Sequence, residues 1–276
     1  MHALKDREVG VMFWAGRDNL EQIRVLGVRC GQLGLEGDVD LNPALAAHWK
    51  SALDQAQFTL ATVFAAYNGE SYSDIPTVQR TVGFIPRGTR ADREQRTLEV
   101  SDFAAAIGVT SIACHIGFVP EDMNDPDYIA VRDVVRRIAD HAAKHSQTFA
   151  LETGQEPAHV LQRFLTDVGR PNVGINFDPA NMILYGTGDP VEALDVLGPN
   201  VLSVHLKDGD WPPKDKPGNL GKERPLGQGS VGIPRFIDKL KAIGFRGPLN
   251  IEREAENQAE RLSDISAAVA YLHRLQ

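Results

Sequence analysis

The chain has 276 residues, 42% hydrophobic and 24% charged, enough to bury a sizeable core and ordinary for a globular protein. Its 29 Lys and Arg against 37 Asp and Glu leave a formal charge of −8, which argues against a nucleic-acid partner or an anionic membrane, since both demand basic surface. The two cysteines, Cys30 and Cys114, lie too far apart for a CxxC zinc site or a disulfide framework and are expected to be buried thiols, and no run reaches the ~18 apolar residues of a membrane span.

The first residues, MHALKDREVG, are charged and lack the apolar core of a signal peptide, so a cytoplasmic location is expected. From there, short β-rich runs alternate with helical patterns. Strands are expected at 8–14, 25–33, 58–67, 110–116, 148–152, 173–177, 201–206 and 248–252. Runs such as FTLATVF and SIACHI are nearly continuous in apolar residues, as in strands covered on both faces. The clearest helix is expected over 127–145, where Val131, Val134, Val135, Ile138 and Ala142 form a stripe at helical spacing. Pro157 and Pro190 stand where first-turn prolines belong, and a last helix is expected over 255–275. Strict β/α alternation in eight units without a linker predicts a parallel sheet closed into a single (β/α)8 TIM barrel, one domain over 1–276. Two connections, 68–92 after the third strand and 207–232 after the seventh, are too long for turns and would stand at the barrel's C-terminal mouth.

The last four expected strands end on polar residues. TFALETG ends at Glu152, VGINFDPANM at Asp178, VLSVHLKDG at His205 and GPLNIERE at Glu252. A charge that follows a buried apolar run needs a partner or a metal. Adjacent strands lie roughly 4.8 Å apart, so side chains at one height on neighbouring strands can converge. Taken singly, each is an ordinary polar group where a strand meets a loop; four in succession point to a shared cation. Three carboxylates and an imidazole make a hard-to-borderline site, with Mn²⁺ favoured and Mg²⁺, Co²⁺ and Zn²⁺ left open.

The run from LETG through NFDPANM and VHLKD to IERE resembles the sugar phosphate isomerase/epimerase superfamily, the xylose isomerase-like barrels, along nearly the whole chain. It is similar to ketose 3-epimerases, hydroxypyruvate isomerases and inosose-processing enzymes. The resemblance implies that Glu152, Asp178, His205 and Glu252 bind one divalent ion and that Glu152 and Glu252 also act as acid and base. Ketose 3-epimerases carry a substrate-contacting His three residues after the metal-binding Asp; here that position is Asn181. The implied activity is isomerisation or epimerisation of a small sugar, ketose or keto-polyol by proton transfer through a metal-bound ene-diolate. The alternative is a lyase of inosose-dehydratase type on the same site, and a sugar-binding or regulatory barrel without turnover is a third reading. The expected partner is a small carbohydrate, with a homo-oligomer left open.

Further substrate contacts are expected from His115 at the end of the fourth strand, Lys207 after His205, Glu156 one turn beyond Glu152, and Trp14 at the end of the first strand. Asp208 would orient a ligand and Trp211 wall the mouth. Arg80, Arg87 and Arg90 read as a solvated loop rather than a phosphate grip. Residues 227–232, GQGSVG, match GxGxxG, but the sequence before them does not read as a strand, so they are expected to shape a loop entering a helix at Ile233–Pro234.

Overall fold

In the computed structural model, which describes residues 4–275, the expected alternation becomes a closed barrel. Its strands are β1 (Val9–Trp14), β2 (Cys30–Leu35), β3 (Thr59–Ala65), β4 (Ser111–Cys114), β5 (Thr148–Glu152), β6 (Val173–Phe177) and β7 (Val201–Leu206). A small hairpin of β8 (Asp208–Asp210) and β9 (Lys222–Arg224) follows, and β10 (Leu249–Ile251) returns to the barrel. The order around the barrel is β1-β10-β7-β6-β5-β4-β3-β2, and each pairing described is parallel.

The helices are α1 (Leu20–Val25), α2 (Pro43–Ala56), α3 (Ile75–Thr81), α4 (Arg90–Ala106), α5 (Pro126–Ala143), α6 (Ala158–Val168), α7 (Pro179–Tyr185), α8 (Pro190–Leu197), α9 (Ile233–Ala242) and α10 (Gln258–Leu275). Several start on the same device: Asn42, Asp125, Asp178 and Asp189 each accept a backbone N–H of the first turn, and a proline with pre-set φ follows. The stripe of α5 is buried as its spacing predicts, at Val131, Val134, Val135, Ile138 and Ala142. These faces and the outer faces of the strands form the main core. No described helix is long and apolar enough to cross a membrane.

Two local expectations are corrected. The second strand runs over Cys30–Leu35 rather than 25–33, because a short helix ends at Val25 and Gly27 turns the chain at φ 85°. Asn19 and Gln22 form a capping box that starts this helix. The segment before GQGSVG does contain a strand, β9, held by antiparallel pairing to Asp208–Asp210. The long connections thus carry elements of their own: α3 lies in the first and the β8–β9 hairpin in the second.

The barrel lumen is divided in character. Met12, Phe64, Ala113 and Ala150 form an apolar cluster backed by Trp14. Gln32, Asn176, Ser203 and His205 are buried polar residues joined by hydrogen bonds. Gln32 on β2 donates to Asn176 Oδ1 on β6 at 3.0 Å, and since those strands are not neighbours the bond crosses the lumen. This polar layer lies directly beneath the strand ends where the ionisable residues meet.

Candidate metal centre and active site

Glu152 ends β5, Asp178 follows β6 and caps α7, His205 lies in β7, and Glu252 follows β10. Strands β5, β6, β7 and β10 are consecutive around the barrel, so all four side chains reach the same end. Their ligand-type atoms lie within 4.8 Å of one another, and all four residues are buried. His205 Nδ1 is 3.1 Å from Glu152 Oε1, 3.0 Å from Glu252 Oε2 and 3.9 Å from Asp178 Oδ2.

The polar layer sets the chemistry of this cluster. Gln32 spends its amide N–H on Asn176, so its Oε1 faces His205 Nε2 as an acceptor at 2.9 Å. Nε2 therefore carries a proton and Nδ1 faces the carboxylates, to which it donates a second proton; with a cation bound, Nδ1 would lose that proton and offer its lone pair to the ion. Asn176 accepts from Gln32 and from Ser203 Oγ, and donates to Glu152 Oε2. Asn181 Nδ2 approaches Glu152 Oε1 at 3.4 Å. Asp178 is locked by reciprocal bonds with Thr153, whose Oγ1 accepts from the Asp178 N–H and donates to its carbonyl. Asp178 Oδ1 caps Asn181 N at 2.9 Å, while Oδ2 is buried without a hydrogen-bond partner.

Electrostatics report the same crowding. Burial opposes charge on His205, yet Glu152 and Glu252 outweigh it and push the imidazole well above its ordinary range. Burial pushes the Asp178 carboxyl well up; Glu252 and Glu152 add to this, and Lys207 pulls against it. Burial likewise works against the Glu252 charge, but His205 and Lys207 hold that carboxyl well below the usual range. Three carboxylates around one imidazole, one with an orphaned oxygen, fit a divalent cation: it would neutralise the repulsion and give Asp178 Oδ2 a partner. The donor set of three oxygens and one imidazole suits such an ion.

Above the cluster lies a cavity of about 160 Å³ lined by Trp14, Phe64, Glu70, Tyr72, His115, Asn181, Tyr185, Lys207, Glu252 and Glu254. Among the expected substrate contacts, Trp14, His115, Asn181 and Lys207 come together here. His115 follows β4, and Gln155 Nε2 donates to its Nδ1 at 3.2 Å, which leaves Nε2 to carry the proton. Lys207 is buried and its ammonium sits 2.9 Å from Glu254 Oε2 and 3.4 Å from Glu252 Oε2.

Glu156 does not line this cavity. It borders a neighbouring depression with Gln79, Phe118 and Pro120, where Oε1 accepts the Val119 N–H at 2.8 Å and Oε2 is buried without a partner. Burial raises its pKa from 4.5 to about 8. Trp211 is 44% exposed and lines no part of the cavity. Asp208 does not face the metal cluster: its oxygens accept N–H groups from Gly209, Gly227, Gly229 and Val231 at 2.9–3.1 Å. The GxGxxG glycines thus cradle an internal carboxylate, and a Cβ on Gly229 would stand 2.4 Å from Asp208 Oδ1. Arg87 and Arg90 are paired with Asp127, and Arg80 reaches Thr77 of its own helix. Both cysteines are buried free thiols, and burial pushes Cys30 up to about 12.

Sequence reasoning missed Gln32 and Asn176, whose signal was a polar residue within an apolar strand. It also missed Glu70 and Tyr72 in the first long connection, Tyr185 at the end of α7 and Glu254 just past β10, all of which line the cavity.

A family model for the xylose isomerase-like TIM barrel matches residues 20–275. The chain belongs to that family. Within this family of barrels, a solved xylose isomerase domain protein from Planctomyces limnophilus is 41% identical and superposes with a TM-score of 0.94, covering 98% of this chain and 97% of that one. A D-tagatose 3-epimerase-like protein is 17% identical, with a TM-score of 0.74 over 97% of this chain and 98% of its own. A probable 3-DHS dehydratase from Bacillus anthracis is 15% identical, with a TM-score of 0.70 over 96% and 99%. These last two share the barrel fold with the chain. A curated relative, an uncharacterized protein of Methanocaldococcus jannaschii, is 24% identical over 166 residues, so the match spans 56% of this chain and about half, 54%, of that protein.

Proposed function

We propose that the chain is a divalent-metal-dependent isomerase or epimerase of a small sugar, ketose or keto-polyol. The observation that carries this reading is the convergence of Glu152, Asp178, His205 and Glu252 beneath a cavity, with Asp178 Oδ2 left unpartnered. Mn²⁺ in first place, or Mg²⁺, Co²⁺ or Zn²⁺, would supply Lewis-acid polarisation of a carbonyl bound there.

The chain's own residues divide the remaining work. Glu252 borders the cavity and Glu152 lies buried beneath it, so a bound substrate meets Glu252 directly and reaches Glu152 only at the floor of the site. Glu252, kept ionised by Lys207 and His205, takes the proton from the carbon beside the carbonyl. Glu152, held by Asn176 and Asn181, exchanges the second proton. Return to the opposite face of the same carbon epimerises; return to the neighbouring carbon isomerises. Lys207, His115 and Asn181 orient the substrate hydroxyls, and the Trp14 and Phe64 rings, 6.4 Å apart, wall off water. A cavity of about 160 Å³ suits a substrate smaller than the drug-sized ligands that occupy about 300–1,000 Å³.

Two observations favour a second reading, a lyase of inosose-dehydratase type. Asn181 stands where ketose 3-epimerases have His, and the Lys207 ammonium lines the cavity as a hydrogen-bond donor to a departing hydroxyl, which would leave as water with the proton that Glu252 removes. A panel of ketoses and inososes incubated with the Mn²⁺-loaded protein in D₂O separates the readings. Deuterium on the carbon beside the carbonyl marks turnover of either kind, because both reactions begin by removing that proton. Lyase action produces the ultraviolet absorbance of an enone. Neither signal on any member of the panel would leave a sugar-binding barrel without turnover.

A further inference from the structure

Away from the mouth, a second set of ligand-type side chains meets. His141 in the last turn of α5 and His145 just past its end are four residues apart, the spacing that puts two side chains on one helix face. Their Nε2 atoms approach the same acceptor, Asp102 Oδ1 on α4, at 2.7 Å and 2.9 Å. The two rings lie 5.6 Å apart, and the three ligand atoms fall within 4.8 Å of one another. Asp102 lies near the end of α4 and the histidines at the end of α5, just before β4 and β5 begin. The set therefore sits at the end of the barrel opposite the mouth and shares no residue with the cluster there.

The two halves of this set are held in register by buried bonds. Ser101, next to Asp102, donates to Gln147 Oε1 at 2.5 Å. Gln147, two residues past His145, donates back to the Ser101 and Val109 carbonyls, each at 3.0 Å. Ser146 between them adopts φ 56°, a left-handed conformation unusual for serine, which turns the chain so that Gln147 points inward and His145 stays on the Asp102 side. The ligand side chains are reachable, with His141 at 21%, His145 at 34% and Asp102 at 58% exposure. Such a preorganised, accessible pair of imidazoles with one carboxylate leaves coordination positions for water and matches borderline ions such as Zn²⁺ better than hard ions such as Mg²⁺.

We propose that Asp102, His141 and His145 form a second metal site, for a borderline transition-metal ion of which Zn²⁺ is the type, bridging α4 and α5. Each imidazole binds through Nε2 as a neutral ring with its proton moved to Nδ1, and the ion replaces the two hydrogen bonds to Asp102.

Zn²⁺ titrated into the metal-free protein, with bound metal counted by mass spectrometry, tests the site. Wild type takes two equivalents, and a Glu152→Gln/Asp178→Asn variant, disabled at the mouth, keeps one. X-ray absorption of that single zinc shows two imidazole ligands. His141→Ala and Asp102→Asn, checked for folding by circular dichroism, weaken this equivalent by at least about tenfold. The proposal is overturned if the mouth-disabled variant binds no zinc, if its zinc lacks imidazole ligands, or if folded His141→Ala or Asp102→Asn retains full affinity. Should the mouth itself bind no metal, wild type would take one equivalent and lose it in His141→Ala, so the two readings fail separately.

Discussion

Gln32 Oε1 lies 2.9 Å from His205 Nε2, across the lumen from β2 to β7. The contact fixes the imidazole's tautomer and aims Nδ1 at the three carboxylates. Gln32→Leu removes the acceptor and lets the ring turn. Mn²⁺ affinity at the mouth, measured by calorimetry, is expected to fall about 10–100-fold. Unchanged affinity would mean that the ring is oriented by Phe64, 5.8 Å away between ring centroids, and by the carboxylates around Nδ1.

Glu252→Gln and Glu152→Gln remove the two proposed proton-transfer groups. Each is expected to slow deuterium incorporation into the substrate by at least about 10²–10⁴-fold. Glu252→Gln keeps the shape of the side chain that borders the cavity but weakens a metal ligand, so the comparison is made at saturating Mn²⁺, where its remaining effect falls on turnover. The split between kcat and KM for the two variants reports which carboxylate faces the substrate.

Removing metal has a stability signature. Without a cation, Glu152, Asp178 and Glu252 repel one another around His205. Chelator treatment should lower Tm and Mn²⁺ should restore it, by an amount worth about 2.7 kcal/mol at a hundredfold excess over Kd. Equal melting curves with and without Mn²⁺ would count against a metal at the mouth.

Glu156 makes a separate pH prediction. Its pKa is 4.5 when unfolded and about 8 when folded, so between those values the native state holds a proton that the unfolded state has lost. The unfolded state then binds fewer protons, and stability falls as pH rises, by about 1.4 kcal/mol per pH unit through that window. Below 4.5 both states are protonated, the slope vanishes and the full stability is retained. Glu156→Gln keeps an acceptor for the Val119 N–H and abolishes the slope. Urea unfolding at pH 5 and pH 8 should show the variant gaining on wild type only at the higher pH.

Arg261 on α10 is 1% exposed and holds the Asp18 carboxylate at 2.6 Å, the Arg253 carbonyl at 2.8 Å and the Met12 carbonyl at 3.2 Å. It ties the last helix to the first strand. Arg261→Ala leaves Asp18 buried without its cation, at an expected cost of about 3–5 kcal/mol in urea unfolding.

The fold and the metal cluster were legible where strong local signals agreed. β5, β6 and β7 match their expected bounds because apolar runs stop abruptly at Glu152, Asp178 and the residues after His205. α1 was hidden because six residues are too few to display helical periodicity, although Asn19 and Gln22 announce its cap. β8 and β9, three residues each, exist through pairing with each other and have no pattern of their own. Gln32 and Asn176 face the lumen of strands that read as wholly buried, and only closure of the barrel makes them meet. Tyr72, Tyr185 and Glu254 reach the cavity through tertiary folding of segments with no mark of function in their composition.

The knot of amides around Asp208 divides the connection after β7 into two mechanical zones. Lys207 is the neighbour of a residue bolted to Gly227, Gly229 and Val231, so its ammonium keeps its height above the carboxylates whatever the outer stretch is doing. Residues 211–221 form the loop of the β8–β9 hairpin, anchored where the Gly218 carbonyl accepts the Ile75 N–H at 2.9 Å, the Gly221 N–H donates to the Leu184 carbonyl at 2.8 Å, and Leu220 packs beside Tyr185. Insertions or grafts at the exposed residues 213–217, outside those anchors, would alter the outer surface of this connection while leaving Lys207 and Tyr185 where they are.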